Sequence, residues 1–235
     1  MVLKKNKRGF AERLVRKFFY KYYARNLFYE LQMRARKSSA DYVEKNMPDV
    51  VIFWQLKEIL QYCLKEAPAS GLVLEFGVAG GKSINIIAGC VTGREVHGFD
   101  SFEGLPEDWS GHMETRGSFD RKGRLPKVSQ NVILHKGWFS DTLAEFRKTN
   151  TGPVAFLHVD CDLYSSTREV LWQLADQLIV GTVIEFDEYF NYHGWQQHEY
   201  RAWQEFVAEF GVEYSYIAIT ASDGRVAVKI TSKRS

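Results

Sequence analysis

After residue 70 the chain repeats one pattern five times: a short, almost unbroken apolar run that closes on or beside glycine or an acid. The runs are "GLVLEFGV" (71–78), "EVHGFD" (95–100), "NVILHKG" (131–137), "PVAFLHVD" (153–160) and "GTVIEFDEY" (181–189). Their apolar residues are continuous rather than alternating, as in strands buried on both faces. That pattern predicts a mostly parallel sheet with helices on either side. Segments 82–91, 140–148 and 166–178 fit the helices between the runs. A helix near 195–210 follows the fifth run. Then "EYSYIAIT" and "RVAVKI", joined by the tight-turn signal "ASDG", predict a closing antiparallel pair.

Ligands of such sheets bind beyond the C-terminal ends of the strands. Here those ends are acidic: Asp160 and Asp162 after the fourth run, Asp187 and Glu188 after the fifth. The segment 104–130 has no clear period and is long enough to suggest a functional loop.

The 235 residues, 45% of them hydrophobic, suffice for one α/β core with additions. No apolar run reaches the ~20 residues of a membrane span, and charges interrupt any secretory signal, so a cytoplasmic protein is expected. Cys63, Cys90 and Cys161 lack metal spacing and read as free thiols. Charge is uneven: residues 1–37 hold twelve Lys/Arg and two Glu, net +10, leaving about −8 for the remainder of this +2 chain. We therefore divide the chain into a basic, amphipathic helical arm (1–45) and an α/β domain (46–235). In the arm, residues 9–36 read as helix, with Phe10, Leu14, Phe18 and Tyr22 on one stripe and Val15 and Phe19 beside it. A second helix is expected over 50–65. The arm suits packing on the domain or on another subunit of a homo-oligomer, or peripheral contact with an anionic membrane. Nucleic acid is not an expected partner, since nothing else in the chain forms a basic reading surface.

"VLEFGVAGGKS" (73–83) is a strand, an acid, a glycine-rich turn and a helix start. Phe76 stands where a dinucleotide fingerprint wants its first glycine. Gly77 to Gly81 leaves three residues where a P-loop wants four. A nucleoside cofactor without phosphates fits better. Glu75 can accept from an ammonium group, Gly77, Gly80, Gly81 and Ser83 let a ligand approach the backbone, and Asp100 suits ribose hydroxyls. The pair of acids around a glycine turn points to S-adenosylmethionine. Ser101 adjoins Asp100, and Gly137–Trp138 closes the third run, where Trp138 could stack on adenine.

In order, "EFGVAGGKS", "GFDSFEGLPEDW", "KGWFSDTL", "LHVDCDLYSST" and "FDEY" resemble the macrocin O-methyltransferase (TylF/MycF) family. Its members are class I, S-adenosylmethionine- and magnesium-dependent methyltransferases of natural-product sugars. The resemblance spans roughly residues 45–210. It implies a Rossmann-like, seven-stranded sheet with the last strand antiparallel, and Mg²⁺ held by Asp160, Asp187 and Glu188. The family usually has Asp where Glu188 stands; Glu remains a hard oxygen ligand. Asp162 corresponds to the second acid of the family's "D-x-D" stretch and reads as structural or supporting.

A chelated vicinal diol would have its hydroxyl acidified by the metal, and Asp160 is the candidate proton acceptor. His193 and His198 border the same region, whereas His97 and His158 read as packed strand residues. Segment 112–126 could carry Arg116, Arg121 and Arg124 toward an anionic substrate, or be a solvated loop. Trp195 and Trp203 read as core. The expected activity is O-methylation of a sugar or glycosylated substrate. The alternatives are a non-sugar vicinal diol such as a catechol, or a binding protein that keeps the fold without turnover.

Overall fold

The computed structural model describes residues 7–234, with side chains from residue 11 onward. Readings that rest on residues 1–6 or on the Phe10 side chain lie outside the described residues. Eight strands form one sheet: β1 (Val51–Phe53), β2 (Leu72–Phe76), β3 (Val96–Asp100), β4 (Val132–Lys136), β5 (Val154–Val159), β6 (Val183–Phe186), β7 (Val212–Thr220) and β8 (Val226–Lys233). Their order is β1-β7-β8-β6-β5-β2-β3-β4, and β8 alone runs antiparallel to its neighbours. The helices are α1 (Lys7–Phe19), α2 (Leu27–Asn46), α3 (Leu56–Glu66), α4 (Lys82–Cys90), α5 (Phe139–Phe146), α6 (Tyr164–Gln173) and α7 (Glu199–Phe210).

Strand alternation sorts the core into two layers. Leu74, Phe76, Leu157, Phe186 and Trp203 share one cluster, and Val73, Ile84, Ile87 and Phe156 another on the opposite face. Both faces are dry, which is why the sequence shows continuous apolar runs.

Three expectations are corrected. The sheet has eight strands, not seven, because Val51–Phe53 is an edge strand parallel to β7 rather than the start of a helix. β-Branched and aromatic residues favour the edge pairing, and helix α3 starts only where Gln55 and Glu58 form a capping box. The arm is not one helix. A π-helical segment, Tyr20–Ala24, follows α1, and Asn26 caps a new helix by accepting from the Tyr29 amide at 3.1 Å. Trp195 and Trp203 share no helix. Trp195 sits in a 3₁₀ turn and Trp203 in α7, although both are buried as core residues.

The chain winds outward from β2 through β3 to β4, and the other way from β5 to β6. The sheet therefore reverses direction between β2 and β5, where a crevice opens beyond the strand ends.

Candidate active site

Gly77 stands at this reversal. Its φ is +93°, and a Cβ built there would lie 1.6 Å from the Asp160 carbonyl oxygen. Only glycine lets the end of β2 pass that close to the end of β5, where the Asp160 amide donates to the Phe76 carbonyl at 2.8 Å. Gly81, φ +80°, caps α4. Asp100 holds the turn from the neighbouring strand: its Oδ2 accepts from the Val78 and Ala79 amides at 2.9 and 2.7 Å, and its Oδ1 from Phe102 at 2.6 Å.

Glu75 lies beneath the turn. It is fully buried, and its Oε1 accepts from the Ser83 hydroxyl at 2.5 Å while Oε2 has no partner. Strand register sets Glu75 beside His158 and His158 beside Glu185. The imidazole stands 3.5 Å from Glu75, 2.8 Å from Glu185 and 3.8 Å from Asp187. Burial opposes a charge on His158, but Glu185 and the other flanking carboxylates outweigh it and raise its pKa well above the ordinary value. A histidine read as merely packed thus sits within a buried row of carboxylates, and Glu185 was not singled out from the sequence. His97, also read as packed, meets His135 at 3.1 Å.

The crevice is a cavity of about 650 Å³. Of the predicted site residues, Gly77, Asp100, Ser101, Trp138, Asp160, Asp187 and Glu188 line it; Glu75, Gly80, Gly81, Ser83 and Gly137 do not. Asp162 also lines it, at φ +63°, rather than only supporting it. From the 104–130 segment come Leu105, Trp109, His112 and Phe119, not the arginines at 116, 121 and 124. Trp109 and His112 stack with centroids 4.0 Å apart. "PEDW" and "YSST" were in view, but only the fold brings Trp109, Ser165 and Ser166 to one wall. His198 is buried and bonded to the Ser110 carbonyl at 2.9 Å, so it holds that loop.

Four acids thus share one wall with little compensation. Asp187 is clamped by Arg225, at 2.6 and 3.2 Å. Burial alone would raise the Asp187 pKa, but His158 and Arg225 hold it below the usual carboxylate range. Asp160, Asp162 and Glu188 make no side-chain hydrogen bond among the described residues. Burial first, then the Asp187 charge, pushes Asp162 to about 7, Glu188 to about 8 and Asp160 well above its usual value. The buried Glu199 carboxylate accepts from the Glu188 amide at 3.0 Å and fixes that corner. The side-chain ligand atoms that converge within 4.8 Å are those of Glu75–His158–Asp160 and His158–Glu185–Asp187. The expected trio of Asp160, Asp187 and Glu188 shares the cavity wall without drawing together to that extent.

A doubly wound sheet with such a cavity at its switch point is the architecture of Rossmann-like methyltransferases. In structure the chain is similar to NovP, an O-methyltransferase (25% identity, 75% of this chain and 79% of that one, TM-score 0.56), and in fold to CalS11, a calicheamicin methyltransferase (21% identity, 74% and 76%, TM-score 0.56). In sequence it is 33% identical over 158 residues to a Streptomyces olivaceus protein. That relative is the 8-demethyl-8-(2,3-dimethoxy-alpha-L-rhamnosyl)-tetracenomycin-C 4'-O-methyltransferase; the match spans 55% of this chain and 58% of that protein. Residues 13–222 match the macrocin-O-methyltransferase (TylF) family, and the chain belongs to it.

Proposed function

We propose that the chain is an S-adenosylmethionine- and Mg²⁺-dependent O-methyltransferase acting on a sugar hydroxyl. The observation that carries this reading is a cavity lined both by the four carboxylates Asp160, Asp162, Asp187 and Glu188 and by the rings of Trp109, His112, Phe119 and Trp138. Three of the carboxylates, Asp160, Asp162 and Glu188, have raised pKa values and accept no side-chain hydrogen bond, which makes their oxygens the complement of a hard cation. Mg²⁺ fits that donor set, with Asp160, Asp187 and Glu188 as ligands; Asp187 has lone pairs left beyond its bonds to Arg225. Mg²⁺ would supply a Lewis acid that lowers the pKa of an adjacent hydroxyl. S-adenosylmethionine would supply the electrophilic methyl group.

The chain's residues bind, orient and take up a proton. Gly77, Ser101 and Trp138 offer the nucleoside a close backbone, a hydroxyl and a ring face. Asp100 spends three acceptor positions on the turn, so its first task is to hold the turn, and its remaining lone pair would be available to a ribose hydroxyl. Glu75 and Ser83, hydrogen-bonded beneath the turn, and Gly80, Gly81 and Gly137, in the turns that carry lining residues, support the site without lining it. Asp160, held by the β2 backbone, accepts the hydroxyl proton. Trp109, His112 and Phe119 present flat faces of the kind on which sugar rings pack, and they exclude water.

The family and the rhamnosyl substrate named for the Streptomyces relative favour a sugar over a catechol. The uncompensated carboxylates argue against a fold kept without turnover. The test is S-adenosylhomocysteine release from a panel of glycosides and catechols, with Mg²⁺ and with EDTA. Turnover of glycosides that EDTA abolishes and Mg²⁺ restores is expected. Full activity in EDTA refutes the metal, and turnover confined to catechols refutes the sugar.

A further inference from the structure

Among the described residues, every side chain from Ala11 to Glu30 is exposed except Asn26. Packing on the chain's own domain, one expected role of the arm, therefore does not occur over this stretch. Leu14, Val15, Phe18 and Phe19 are 55–67% exposed. Projected at 100° per residue, they fall with Ala11 in one sector of about 140°. Tyr22 and Tyr23 extend it, their rings 4.6 and 5.3 Å from Phe18 and Phe19. The rest of the helix surface carries Arg13, Arg16, Lys17 and Lys21. Residues 7–25 hold seven Lys/Arg against the single acid Glu12.

Beyond Asn26 the arm becomes anchored. Gln32 Nε2 donates to the Asn191 carbonyl at 2.6 Å, the Asn191 amide donates to Ser39 Oγ at 2.9 Å, and Trp195 Nε1 donates to Ser38 Oγ at 3.2 Å. These partners come three and seven residues after Glu188 in the chain. The exposed stretch is thus a projecting amphipathic helix, fixed at its base to the Asn191–Trp195 segment.

We infer that α1 and the π-helical segment after it dock this chain on an anionic bilayer surface, apolar face in the acyl boundary and basic face among the headgroups. Among the described residues no helix is long and apolar enough to cross a membrane, so the contact is interfacial. Two observations select this occupant. Phenylalanine with tyrosine is the composition that partitions into the headgroup boundary. A symmetric contact through the apolar sectors would bring two helices of strong net positive charge together with nothing to neutralise them, whereas anionic lipid does. The inference rests on exposure and charge, not on the proposed chemistry.

The experiment is co-sedimentation of the full chain with phosphatidylglycerol–phosphatidylcholine vesicles and with pure phosphatidylcholine. Sedimentation velocity without lipid accompanies it. Each basic residue near the surface strengthens partitioning about fivefold, so the triple change Arg13→Glu, Arg16→Glu, Lys17→Glu should cost at least about a hundredfold. Phe18→Ser with Phe19→Ser should also release the protein. All five side chains are exposed, so these variants should keep the wild-type melting temperature. Binding to anionic vesicles at low salt that high salt reverses supports the inference. Three results overturn it: no sedimentation at low salt, sedimentation indifferent to the triple change, or an oligomer that the Phe18/Phe19 variant dissociates while vesicles stay unbound. The last would make a second copy the occupant. Methyl transfer to a water-soluble glycoside is a separate readout and should survive both variants.

Discussion

Replacing Gly77 with alanine tests the geometry on which the site depends. The added Cβ would lie 1.6 Å from the Asp160 carbonyl oxygen and 2.6 Å from its carbon. Both are backbone atoms and cannot rotate away. Forcing an L-residue into the left-handed region at φ +93° costs about 1–2 kcal/mol. Relieving the overlap by shifting a packed strand end costs about 1–3 kcal/mol more. The variant should therefore lose about 2–5 kcal/mol, a fall in Tm of about 4–20 °C for a chain of this size. The shift falls on Asp160 itself, and a displacement of about 1 Å at a reacting group can cost about a hundredfold in rate. Calorimetry and S-adenosylhomocysteine release read the two effects. Gly80→Ala is the control in the same turn: its nearest contact is the flexible Arg121 guanidinium at 3.7 Å, so stability should stay within about 0.5 kcal/mol. If Gly77→Ala melts and turns over like Gly80→Ala, the close crossing of β2 and Asp160 is not what builds the site.

Asp160→Asn should abolish turnover, leave S-adenosylmethionine affinity nearly unchanged and raise the Tm of metal-free protein at neutral pH, because it removes a charge that burial and Asp187 disfavour; a lowered Tm contradicts this. Arg225→Met should cost about 3 kcal/mol by leaving Asp187 buried with only His158, 3.8 Å away, to offset its charge. Because the folded pKa of Asp187 is depressed, its stabilisation is present above the ordinary carboxylate pKa and fades as pH falls through the folded value. The variant should therefore lose activity at higher pH on the acid limb, and an unmoved limb removes Arg225 from the site. With Glu188 near 8 and Asp162 near 7, metal-free stability should decline as pH rises from about 4 to 8, the penalty of raised carboxylate pKa values. Mg²⁺ binding at pH 6.5 should release about one proton or more, seen as a buffer-dependent heat in calorimetry; a buffer-independent heat refutes metal at those acids.

The sequence by itself determined the layered fold and the end of the sheet that carries the site. Buried parallel strands must be continuously apolar, and their boundaries fall at glycines and acids, so β2 to β6 could be placed to within a few residues. It also placed Asp160, Asp187 and Glu188 at strand ends, because an acid next to a fully buried strand can only emerge there. Tertiary structure decided what those groups meet. Val51–Phe53 is a strand only because β7 offers an edge, a pairing across more than 160 residues with no local signature. Glu75, His158 and Glu185 form one row because three strands align in register, while each alone is an isolated polar residue in an apolar run. The clamp on Asp187 comes from Arg225, 38 residues on, where the sequence announces only a hairpin turn. The arm's amphipathic pattern could be read directly, but whether its apolar face is covered could not. Periodicity records which side chains share a face, whereas burial depends on what else in the fold comes to meet it.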